Sequence, residues 1–179
     1  MIEEVFLEDH ESLAALLDDL KIALEKPDLL RAFELLDRFW ARLAVHIRAE
    51  NVCLFPAILN APAKLFVAEN GLPEIEEVRA AIGHLRGDHN FFMDELAQAV
   101  KTMRELLSAE HHENEHQQME SVRRKISVVA GRLAEHNKLE EEKVYGWPRI
   151  ALTPPELARL NDAVRFEIRN LPARLLQTS

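Results

Sequence analysis

The chain has 179 residues, 47% of them hydrophobic and 30% charged, with a formal net charge of −9. That length allows one domain with a full core. The acidic balance argues against nucleic acid or an anionic membrane as a partner, since both need a basic face. Cys53 is the only cysteine, no apolar run approaches the ~20 residues of a membrane span, and the acidic start Met1-Ile2-Glu3-Glu4 is unlike a signal peptide, so a reducing, cytoplasmic setting is expected.

Apolar spacings of three and four recur along most of the chain and predict an all-α protein. A first helix over about 4–25 carries Phe6, His10, Leu13, Leu17, Leu20 and Leu24 on one stripe and ends at Lys26-Pro27-Asp28. A second runs from about 28 to 55 and stops at Pro56, with Ala32, Leu36, Phe39, Leu43, His46 and Glu50 in line. Residues 57–73 read as a connection in which 63–69 could form a short helix. A third helix spans about 73–107 with Ile82, His89, Phe92, Leu96, Ala99 and Met103 on its stripe. A turn that includes His111, His112 and His116 leads to a fourth over about 117–144, carrying Val122, Ile126, Val129, Leu133, His136 and Glu140. Gly146-Trp147-Pro148 breaks that helix, and Thr153-Pro154-Pro155-Glu156 opens a last one with a capping box, ending near Asn170. The expected division is a four-helix bundle over 1–145 and a C-terminal helical extension over 146–179, packed on the bundle or used to form a homo-oligomer.

Two internal repeats bear on function. The stripes of helices two and four match position by position, His-x3-Glu included, and those of helices one and three match likewise, each His preceded by an aspartate (Asp9, Asp88). In helices one and three the His comes first and the stripe follows; in two and four the stripe comes first. Short connections make the helices alternate in direction, and 14 residues rise about 21 Å. All four histidines are therefore expected at one level of one bundle end. Neutral imidazoles and two carboxylates in an apolar core would be costly without a cation. Nitrogen-plus-carboxylate ligation suits iron, with zinc, manganese or copper as alternatives. Six ligands, two of them able to bridge, exceed one tetrahedral site and fit two metals.

Asp9-His10, His46-x3-Glu50 followed by Leu54-Phe55-Pro56, Asp88-His89 and His136-x3-Glu140 together resemble the hemerythrin-like HHE cation-binding domains over about residues 5–145. The resemblance implies an up-down-up-down bundle holding a non-haem di-iron centre, bridged by the two carboxylates and a solvent oxygen. It also implies a small ligand: dioxygen, nitric oxide or peroxide, bound, sensed or reduced. Dioxygen carriers of that family have a fifth His four residues before the one matching His89, where this chain has Leu85, and His-x4-Asp on the fourth helix, where it has Glu140 and Glu141. Both departures point to the six-ligand variants similar to iron-centre repair proteins, so iron handling or iron–sulfur repair is the alternative, and an interaction module with a structural metal a third.

Four further residues have competing readings. Glu141 could replace Glu140 as ligand or belong to a solvated charge run. His84 stands about 140° off the ligand face and would reach it only through a π-bulge at Gly83 or Gly87. Tyr145, nine after His136 as Phe55 is nine after His46, is expected as an aromatic plug whose phenol could bond a metal-bound ligand. Cys53 is expected as a buried thiol, and the turn histidines as solvated.

Overall fold

The computed structural model describes residues 1–108 and 114–173. Four long helices form the bundle: α1 (Ile2–Leu24), α2 (Leu29–Ala49), α4 (Ile75–Ser108) and α5 (Glu115–Glu142); three shorter ones are α3 (Phe55–Leu59), α6 (Trp147–Ala151) and α7 (Pro154–Arg169). α1 packs beside α2, α2 beside α4, α4 beside α5, and α5 closes the ring on α1. No strand occurs among the described residues, and none of their helices is long and apolar enough to cross a membrane.

Every stripe residue named above is buried. Local chemistry fixes the ends. Asp28 caps α2 by accepting from the Arg31 amide at 2.9 Å. Arg123 of α5 donates from Nε and Nη2 to the Leu24 carbonyl at 2.9 and 2.8 Å, satisfying an oxygen that the end of α1 leaves without an intrahelical partner. Gly71 takes φ 77°, the left-handed conformation that lets the connection turn into α4. That connection forms two 3-10 turns, Ala63–Leu65 and Ala68–Asn70, rather than one short helix.

The second helix does not stop at Pro56. A π-helical turn, Glu50–Leu54, joins α2 to α3, the Phe55 amide donating to the Glu50 carbonyl five residues back. Pro56 has no N–H to give and crowds the carbonyl four residues earlier, so a regular α-turn is disfavoured there. It sits comfortably in the first turn of α3, where no N–H is needed.

The core falls into two apolar clusters. One fills the bundle shaft and includes Leu17, Leu36, Phe39, Leu96, Met103 and Ile126. The other includes Phe6, Phe55, Ile58, Leu85, Tyr145, Trp147 and Val164 and closes the opposite end under α3, α6 and α7. α7 packs against α2, α1 and the π turn, held by Arg48, whose Nε donates to Glu167 Oε2 at 2.7 Å and whose Nη2 donates to the Asn170 carbonyl at 3.2 Å.

Removing the same atoms from two phenylalanines separates shaft from surface. Phe39→Ala, at a wholly buried position, should cost about 3–5 kcal/mol, whereas Phe166→Ala, 68% exposed, should stay within about 0.5 kcal/mol. Urea midpoints of the two variants check this; equal losses would misplace the core.

Candidate metal centre

A polar layer separates the two clusters. Among the described residues, every buried charged or imidazole side chain belongs to it: Asp9, His10, His46, Glu50, Asp88, His89, His136 and Glu140. Along α1 the order is Phe6, His10, Leu13; along α4 it is Leu85, His89, Phe92; in both, His divides one apolar cluster from the other. The four histidines form two pairs. His10 Nε2 lies 3.1 Å from His46 Nε2, and His89 Nε2 lies 3.2 Å from His136 Nε2.

Each outer ring nitrogen has a partner. His46 Nδ1 meets Asp9 Oδ2 at 2.9 Å, and His136 Nδ1 meets Asp88 Oδ2 at 3.1 Å. Arg42 holds Asp9, and Arg132 donates from Nε to Asp88 Oδ1 at 2.7 Å. His10 Nδ1 meets Glu141 Oε1 at 2.7 Å. His89 Nδ1 meets the Asn51 side-chain amide at 3.1 Å. For His10, His46 and His136, Nδ1–H donation to a carboxylate selects the tautomer whose Nε2 lone pair is free and turned inward, whereas His89 Nδ1 faces the amide nitrogen of Asn51, whose Oδ1 accepts from Arg86 Nε at 3.4 Å.

The carboxylates lie between the pairs. Glu140 Oε1 is 3.1 Å from His136 Nε2, and Glu50 Oε2 is 3.2 Å from His89 Nε2. Glu140 Oε2 is 3.5 Å from His10 Nε2, and Glu50 Oε1 is 3.6 Å from His46 Nε2. Each carboxylate thus turns one oxygen to each pair. Tyr145, in the 3-10 turn after α5, shares its single hydroxyl proton between Glu50 Oε1 at 2.8 Å and Glu140 Oε2 at 3.1 Å, with His10 Nε2 3.0 Å away. The other two oxygens, Glu50 Oε2 and Glu140 Oε1, are buried and accept no hydrogen bond. Two orphaned carboxylate oxygens beside inward nitrogens are what a bound cation would satisfy. Glu50, His89, His136 and Glu140 form one group able to hold a metal, and His10, His46 and Glu140 another, with Glu140 common to both.

The hemerythrin HHE cation-binding domain model matches residues 1–147. The chain belongs to that family. No curated protein and no solved structure matches it significantly.

Membership of the HHE family and the buried His/Glu layer make this a metal-binding protein. The remaining candidates take varied positions. Glu141 is exposed, as a residue of a charge run would be, and its carboxylate also meets His10 Nδ1. His84 stays outside: α4 is regular through Gly83 and Gly87, and the His84 ring is 65% exposed, its Nε2 3.6 Å from Asp88 Oδ2. The π-bulge occurs in the second helix instead. Cys53 is half-buried in that π turn, its thiol pushed up by burial and then by the Glu167 carboxylate. His116 is exposed, and His111 and His112 lie outside the described residues. The outer partners were not read from the sequence as such, although signals existed. Asp9 and Asp88 each precede a histidine, and Arg42 and Arg132 stand four residues before His46 and His136.

Electrostatics without metal places protons where cations would sit. Burial pushes the His46 imidazolium down, but Glu50 and Asp9 outweigh it and raise its pKa to about 10. His136 is raised likewise: burial opposes, Glu140, Glu50 and Asp88 prevail. Burial pushes Glu50 up, and His46 then His89 hold it well below the usual carboxylate range. Burial, then the charges of Glu50 and Glu140, drives Tyr145 well above 10, so its hydroxyl keeps its proton and donates.

A folded-state pKa raised from 6.5 to about 10 stabilises the metal-free fold fully below pH 6.5, and that contribution is lost as pH climbs through about 10. Metal must displace the same protons. The melting temperature of metal-free protein should therefore fall as pH approaches 10, while metal affinity rises over the same range. Loading near pH 7.5 should release about one proton per chain from His46, with a further contribution from His136. Melts across pH and calorimetry in buffers of different ionisation heat measure both; loading without proton release would contradict the arrangement.

Proposed function

We propose that this is a non-haem di-iron protein that binds, senses or reduces a small ligand, dioxygen, nitric oxide or peroxide, with His10, His46, Glu50, His89, His136 and Glu140 as ligands. The observation that carries this reading is the pair of carboxylates, each with one oxygen toward each histidine pair. Two cations with two imidazoles apiece would share both carboxylates, and nitrogen-plus-carboxylate ligation suits iron. Iron held by these residues would supply a redox-active Lewis acid.

The chain's own residues set what can reach it. The six ligands are 4% exposed or less, under a cover that includes Phe6, Phe55, Leu85 and Trp147. Donors this deeply covered suit a ligand of two or three atoms, whereas organic substrates occupy pockets of about 300 Å³ or more. Leu85, four residues before His89, packs into that cover and contributes no nitrogen. Asp9 and Asp88, each tied to an arginine, orient His46 and His136. Tyr145 offers a protonated hydroxyl between the carboxylates.

Protein purified without chelator should contain about two irons per chain and show ligand-to-iron charge-transfer absorption that azide or nitric oxide perturbs. His46→Ala and His136→Ala should lower metal content at least about twofold, while His84→Ala leaves it unchanged. A colourless protein with one zinc per chain, indifferent to added ligands, would replace this reading with a structural metal. Equal loss in His84→Ala would mean that the ligand set is wrong.

A further inference from the structure

We propose that the two halves of the centre take up metal in a fixed order, His89/His136 before His10/His46, because the Tyr145 hydroxyl holds the carboxylate oxygens that serve the second half. The inference rests on the metal-binding reading above and adds an inequivalence to it.

The halves are near copies, which makes their differences informative. Asp9, His10, Arg42, His46 and Glu50 in one correspond to Asp88, His89, Arg132, His136 and Glu140 in the other. Counting on from each glutamate, Asn51 corresponds to Glu141 and Phe55 to Tyr145. Phe55 stacks on His89 with centroids 5.8 Å apart and planes at 9°, bringing no polar atom. Tyr145 brings a hydroxyl to the opposite half. Its single O–H points between Glu50 Oε1 at 2.8 Å and Glu140 Oε2 at 3.1 Å, the oxygens near His46 and His10. The oxygens near His89 and His136 are the two buried without a hydrogen bond.

A first cation at His89/His136 meets two nitrogens, whose mutual 3.2 Å contact has its counterpart at 3.1 Å in the other half, and two carboxylate oxygens that no hydroxyl holds. A second cation at His10/His46 meets oxygens already engaged by a donor that cannot leave for water, because the Tyr145 ring is buried and stacked on Phe6 at 4.7 Å and 12°. Hydrogen bonds to charged acceptors are the stronger kind, so displacing or bending them weakens the second step. Glu141 acts the other way by holding the His10 ring with Nε2 turned inward. Its carboxylate is 39% exposed, however, and touches one ring nitrogen, whereas Tyr145 engages both carboxylates inside the layer.

The test is anaerobic titration of metal-free protein with Co(II), followed by visible absorption and by calorimetry. Wild-type protein should show two resolved steps, the first at least about tenfold tighter. Repulsion between cations would also separate the steps, so the variants decide. Tyr145→Phe keeps the stacked ring and should tighten the second step about tenfold while moving the first by less than about threefold. His89→Ala should abolish the tight step, and His10→Ala should leave it. Melting curves confirm that each variant is folded. Two equal steps in the wild type would overturn the order alone. So would a Tyr145→Phe variant whose second step weakens or whose first step shifts as much, or a His10→Ala variant that loses the tight step. Failure to bind any Co(II) would instead overturn the metal-binding reading, and the order with it.

Discussion

The fold is built around a charged layer that has to be neutralised without water. Glu50 and Glu140 are wholly buried, and an isolated carboxylate in an apolar interior is among the most expensive things a protein can hold. Everything around them answers that constraint. Imidazoles face them on both sides, aspartate–arginine pairs stand behind two of the imidazoles, and a phenol spans the two carboxylates. Even so, two oxygens stay unsatisfied. A sequence under selection for stability alone would place leucine at these positions, as it does one and two turns away along the same stripes. The layer therefore marks where stability has been given up for chemistry.

The helix-end irregularities nearby decide which side chains reach that layer. The π turn begins at Glu50, so the residues after it are rotated from their α-helical positions: Asn51 reaches His89, Phe55 lies flat on the same ring, and Cys53 rests beside α7 rather than in line with the ligands. After Glu140 the chain leaves the helix through a 3-10 turn, which carries Tyr145 over the centre. Equivalent positions in the repeat thus serve different ends because the backbone leaves each helix differently.

Much of this was legible in the sequence, and the reasons are geometric. A period of 3.6 residues places His10, Leu13 and Leu17 on one face whatever they pack against, and a constant rise per residue sets the level of each histidine along the bundle. Fold, faces and level depend on nothing else. The outer contacts depend on which neighbouring helix a side chain meets. Asp9 stands about 100° around the helix from His10, so it serves His46 on α2 rather than its sequence neighbour. Glu141 looked like part of the Glu140–Glu142 run, because spacing alone does not show that the α1 neighbour offers a ring nitrogen. The bulge was sought at glycines in the third helix, yet Pro56 was the stronger signal: a missing donor forces the ladder to change, whereas a glycine only permits it.

The near-duplication of the halves bears on how such a centre can work. A symmetric pair of cations, equally coordinated, would offer an incoming ligand no reason to choose one over the other. Here aspartate, arginine, histidine and glutamate recur in both halves, and Asn51 against Glu141 and Phe55 against Tyr145 make the halves unlike. Glu141 and the Tyr145 hydroxyl both fall on the His10 side, so one half carries an extra anionic partner and a proton-bearing donor while the other carries an amide and a benzene ring. Polarity is thus built into an otherwise repeated frame by two differences just beyond the buried His and Glu side chains, where they leave both carboxylates and the bundle packing in place.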